Sequence, residues 1–192
     1  MGDAAASLST LIRDGDPWIG PWRDSVPFRA IVGLVLDELN ELQFDSLSRA
    51  ARECGDQDML LGDIGFGEEG WPRQEIQNTQ RLSLDSYDDY HRAHLDVPRV
   101  TNVALWSPSG VWAMVVTTEW FALVGGSELF GARLAATWPP WGRGAAEKPF
   151  ADQGRMFVTE MARYVGGDRI VPLLSNVFGA EQAARMIEEV TL

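Results

Sequence analysis

The sequence predicts an α+β fold: a small antiparallel β-meander flanked by helices, with a helical cluster at the C-terminal end. Three observations carry that expectation. β-Prone runs follow one another at Val100–Trp106, Val111–Thr117 and Glu119–Val124. Ser107-Pro108-Ser109-Gly110 separates the first two with turn chemistry, because proline pre-sets φ and glycine accepts the left-handed conformation two positions later. After Gly125-Gly126 the chain becomes a series of short segments with helix caps and glycine stops.

The elements follow in order. Ala4–Arg13 has Leu8, Leu11 and Ile12 at helical spacing. Ser25 as N-cap and Pro27 in a first turn open an expected helix through Phe28, Ile31, Val32, Val35, Leu36, Leu39 and Leu42, with Gly33 marking a close contact. Asp45 is expected to cap a second helix, Ser46–Cys54, stopped by Gly55. Gly55–Gly70 reads as an acidic loop whose apolar residues Met59, Leu60, Leu61, Ile64 and Phe66 anchor it or form a short strand. Arg81–Leu84 is a candidate edge strand, and Asp85 or Ser86 caps a helix over Tyr87–Leu95.

Val111–Thr118 places Trp112, Met114 and Val116 on one face and Val111, Ala113, Val115 and Thr117 on the other. Both faces are apolar, so this strand is expected at the centre of the sheet, covered on both sides. Ser127 then caps a helix over Glu128–Ala136, closed by Pro139-Pro140. Trp138 to Gly144 is an aromatic turn. Helices are expected over Phe150–Val165, from Asp168 to Phe178 with Pro172 disturbing the start, and over Ala180–Val190. A single domain over residues 1–192 accommodates all of this: an acidic helical half to about 98, the meander over 99–126 and C-terminal helices over 127–192.

The formal net charge is −12. Residues 1–96 hold 19 acids against 8 bases, and residues 97–192 hold 9 against 8. The negative excess therefore sits in one half. Such a surface repels nucleic acid and anionic membrane and attracts basic partners. No apolar run reaches the length of a membrane span, and the opening residues do not read as a signal peptide, so a cytoplasmic location is expected. One cysteine, Cys54, rules out an intramolecular disulfide and a cysteine-based zinc site.

Motifs of catalysis are missing. There is no phosphate-binding Gly-rich loop and no G-x-S-x-G elbow. Gly65-Phe-Gly67-Glu-Glu-Gly70 has the spacing of a dinucleotide fingerprint, but its glutamates would face a pyrophosphate. From Asp56 onward the calcium-loop pattern fails, since Leu60 and Leu61 occupy positions five and six. His91 and His94 share a helix face near Asp88, but two imidazoles need a third ligand to hold a metal. No cofactor is expected. Ser127 is explained by helix capping without catalysis. The stretch that stands out is the acidic one. Asp56, Asp58, Asp63, Glu68 and Glu69 carry no compensating base among them, and Trp71 follows as an aromatic anchor. These six residues are the candidate partner-binding face.

Trp106-Ser-Pro-Ser-Gly-Val-Trp112 followed by Glu119-Trp-Phe-Ala-Leu-Val-Gly-Gly-Ser127 resembles a pattern in small acidic bacterial immunity proteins of polymorphic toxin systems. The resemblance covers about a seventh of the chain and none of its N-terminal half. It implies a binder without catalysis that neutralises a basic toxin, and it transfers no functional residue. The alternative is an enzyme of another kind, using His91 or His94 with nearby carboxylates in a Trp-lined pocket.

Overall fold

A computed structural model describes residues 7–13, 20–34, 37–64, 76–97, 102–141, 148–161 and 167–191. Six strands among them form one sheet: Phe28–Gly33 (β1), Asp58–Ile64 (β2), Gln77–Ser83 (β3), Asn102–Trp106 (β4), Trp112–Val116 (β5) and Phe121–Gly126 (β6). Their order is β1-β6-β5-β4-β2-β3, with every neighbouring pair antiparallel. The expected meander is the middle of this sheet. β5 is interior, and its alternation divides it between two cores: Trp112, Met114 and Val116 on one face, Ala113 and Val115 on the other.

Helices cover both faces. Glu41–Glu53 (α1), Tyr87–Leu95 (α2) and Glu128–Thr137 (α3) supply Phe44, Leu47, Tyr90, Phe130 and Leu134 to the first core. Phe150–Met161 (α4), Gly167–Phe178 (α5) and Ala180–Thr191 (α6) supply Phe157, Leu173, Leu174 and Met186 to the second, joined by Leu8, Leu11, Ile12 and Trp22. Pro172 lies inside α5, which runs through it. No helix among the described residues is long and apolar enough to cross a membrane.

The N-terminal half departs from the sequence reading. Phe28–Gly33 is a strand, not the start of a helix. After Arg29 the strand has no polar residue, so both of its faces can be buried: Val32 joins one core and Ile31 the other. Gly33 does mark a close contact, but with an indole. A Cβ there would lie 1.6 Å from the ring of Trp141, whose Nε1–H donates to the Leu34 carbonyl at 2.9 Å. β1 is an edge strand, and two buried glutamines close that edge at Gly33. Gln153 Oε1 accepts from the Gly33 N–H at 3.0 Å, and Gln43 Nε2 donates to its carbonyl at 2.9 Å.

The following helix starts at Glu41, capped by Asn40 and not by Asp45. Asn40 and Gln43 form a capping box, each side chain bonding the other's backbone N–H. The acidic stretch is not a loop over its first part: Asp58–Ile64 is β2, paired on both sides. β3 is the outermost strand on that side and begins earlier than expected, at Gln77. Of the predicted N-terminal helix the described residues show 7–9 as helical; a turn at Thr10–Leu11 ends it before Arg13, and Ile12 bridges Trp22.

Candidate functional site

The site is built on α2. Ser86 caps it, its Oγ accepting from the Asp89 N–H at 3.2 Å. Helical spacing then aligns Tyr87, Tyr90, His91 and His94 on one face. That face grips the segment joining β1 to α1. The Leu39 N–H donates to the Tyr90 hydroxyl at 2.9 Å, and the Tyr87 hydroxyl donates to the Leu39 carbonyl at 3.3 Å. Both polar groups of a fully buried peptide are thereby satisfied by side chains. The rings continue as a stack: Phe44 lies 5.3 Å from Tyr90, Tyr87 lies 5.8 Å from His91, and Tyr90 lies 5.8 Å from His94.

One residue before Leu39, Glu38 meets the helix directly. Its Oε2 is 2.9 Å from His91 Nδ1; the Glu38 side chain is 16 % exposed and that of His91 41 %. Carboxylates gather around this pair. Glu38, Glu41 and Asp88 all stand close enough to Tyr87 to oppose its ionisation, although burial is the larger reason its pKa is raised. Asp37 and Glu38 act in the same way on Tyr90, whose hydroxyl burial drives far above the normal range. His94 is set deeper. Burial pulls its pKa below the ordinary value against the opposing pull of Glu38 and Asp37, and its Nδ1 has no hydrogen-bond partner.

Glu38 orients the His91 imidazole as a carboxylate orients a catalytic base, but among the described residues no nucleophile is placed in hydrogen-bond contact with it. Ser127 lies at the opposite end of the sheet, where its N–H bonds the Val111 carbonyl. Its Oγ accepts from the Phe130 N–H at 3.2 Å as a helix cap. Burial raises the pKa of the Cys54 thiol, which disfavours the thiolate. Among the described residues no three His, Cys, Asp or Glu side chains are placed to hold a metal ion. Two open grooves, of about 310 and 270 Å³, run between α1 and the end of α3 and between β3 and α2. Neither takes in His91 or His94. Trp22, Trp106 and Trp112 are fully buried in the cores and line neither groove.

The structure separates the acids expected to act together. Asp56 is 7 % exposed and faces inward, its Oδ2 accepting from Trp112 Nε1–H at 2.9 Å and its Oδ1 from the Ser109 hydroxyl at 3.1 Å. The Trp-Ser-Pro-Ser-Gly-Val-Trp run is thus bound to the start of β2. Asp58 pairs with Arg81 at 3.1 Å, so a base does compensate it, from the neighbouring strand. Asp63 is also 7 % exposed, with an unpartnered Oδ1. Asp58 and Asp63 are five positions apart along β2, about 17 Å of extended chain. Glu68, Glu69 and Trp71 lie outside the described residues.

The β5–β6 turn carries a second feature that the sequence reading missed. Trp120 is 61 % exposed and has a φ of +64°. Left-handed backbone costs an ordinary L-residue roughly 1–2 kcal/mol. The turn is held firmly: Thr117 N–H and its hydroxyl both donate to the Phe121 carbonyl, Thr118 N–H donates to Asn102 Oδ1, and Trp120 accepts from the Leu34 N–H.

Comparison with known protein families, with characterised proteins and with solved structures gave no match to this chain.

Proposed function

We propose that this chain is a protein-binding module for a basic protein partner, acting as an immunity protein does on its toxin. The observation that carries the reading is the collection of carboxylates at the α1–α2 junction. Asp37, Glu38 and Glu41 come together with Asp88 from two stretches of chain, and Glu38 is ion-paired with His91. Gathering like charges costs stability, weakly in salt and more at low ionic strength. A basic partner offsets that cost and gains a steered encounter. Glu68, Glu69 and Trp71, in the connection from β2 to β3, are assigned by this reading to the same partner. Asp56, Asp58 and Asp63 add to the surrounding potential, since two are buried and one is paired.

The test is co-expression with the product of each gene that flanks this one, a basic toxin being the expected partner. A tight complex, loss of that protein's toxicity and an association rate that falls with salt are expected. Glu41→Gln with Asp88→Asn should slow association and flatten its salt dependence while the melt is unchanged. A neighbouring product that is neither bound nor neutralised removes the immunity reading.

A further inference from the structure

Trp120 occupies the position of a three-residue hairpin loop where the backbone asks for glycine. It keeps a left-handed φ of +64° with a large side chain that is 61 % exposed. The fold gains little from such a choice, because glycine would relieve the backbone and most of the indole is in water. Strain of this kind, held by a rigid turn, points to a surface contact. The adjacent Glu119 is also exposed and makes no ion pair among the described residues. An exposed indole next in sequence to an exposed carboxylate that makes no ion pair among the described residues suits one kind of group above others: a planar cation that can stack and form a forked hydrogen bond.

We infer that Trp120 and Glu119 form the contact point for an arginine side chain of a basic protein partner, the guanidinium lying on the indole and bonding the carboxylate. The inference rests on the reading of the chain as a binder of basic protein, and it moves the anchor of that contact to the β5–β6 turn.

The probe is a hepta-arginine peptide at physiological salt, with hepta-glutamate as control. Affinity is read for every protein by isothermal titration calorimetry, and the indole N–H resonance of Trp120, assigned by its disappearance in Trp120→Gly, locates the contact in the parent. A saturable shift with hepta-arginine only is expected. Trp120→Gly should weaken binding by about 2- to 30-fold, the range of a cation–π contact. It should also melt about 2–4 °C higher, because strain is released. Trp120→Asn, which also tolerates the left-handed conformation, should lose binding similarly, and Trp120→Phe should keep part of it. If hepta-arginine binds Trp120→Gly and Trp120→Asn as tightly as the parent, the inference fails while the basic-partner reading stands. If it binds none of the proteins, both fail. If the resonance moves with protein concentration alone, the occupant is a second copy and the arginine assignment is overturned.

Discussion

The bond between Trp112 and Asp56 is the most consequential single contact in the sheet. Trp112 is fully buried, stacks on Phe130 with centroids 5.3 Å apart, and gives its N–H to a carboxylate that is itself 7 % exposed. Two substitutions separate packing from hydrogen bonding. Trp112→Ala removes both, and loss of a large buried aromatic costs about 3–5 kcal/mol. Trp112→Phe keeps a ring against Phe130 and removes the donor. A hydrogen bond to a charged group is worth about 1.5–3 kcal/mol, so most of the Phe cost should be of that size. The assay is equilibrium urea unfolding of parent, Trp112→Phe, Asp56→Ala and the double variant at neutral pH. Each single change strands one buried partner, so the double variant should be less damaged than the sum of the two. A coupling energy below about 0.5 kcal/mol would show that the contact carries no energy of its own and refute the argument.

Gly33→Ala should destabilise by about 1–3 kcal/mol through overpacking, with altered tryptophan fluorescence, because its methyl would meet the Trp141 ring. Asn40→Ala should cost about 1 kcal/mol in the same unfolding assay, from loss of the α1 cap. His94 has a pKa below 6.5 in the fold. Above that pH both folded and unfolded chains hold it neutral. As pH falls below 6.5 the unfolded chain takes a proton that the fold refuses, so stability drops through the folded pKa. His94→Gln should flatten that drop in melts recorded at several pH values, and an unchanged slope would count against burial of this imidazole.

The middle of the sheet was legible because β4 and β6 end at residues with a local reason to turn: Ser107 to Gly110, then Gly125-Gly126 before the Ser127 cap. β1 had no such boundary. Ala30 to Leu36 is apolar at every position in the sequence, and only pairing with β6 decides that Phe28–Gly33 is extended. Asp45 has the residue type of a cap, while the Asn40–Gln43 capping box is hidden in sequence because the apolar spacing from Phe28 to Leu42 runs through it without a break. Asp56 and Asp58 suggested a solvated loop, since the groups that accept them inside, Trp112 and Arg81, come from other strands. His91 and His94 were paired correctly by spacing. Glu38, the residue that gives His91 its partner, lies 53 positions away and left no local mark. Trp120 was invisible as a special position because its residue type contradicts the rule for its backbone.

The register of β1 has a consequence for how the chain is assembled during synthesis. Phe28–Gly33 pairs with Phe121–Gly126, so the first strand made has no neighbour until about two-thirds of the chain exists. Until then its apolar faces and its open backbone edge wait beside a nascent meander that can close locally. The C-terminal helices come later still. They are fastened back to the beginning by Asn176, whose amide bonds both the N–H and the carbonyl of Trp22 at 3.0 Å. Productive folding therefore ends by threading an early segment between late ones, and a chain released before residue 121 would present β1 to other chains as an unpaired strand.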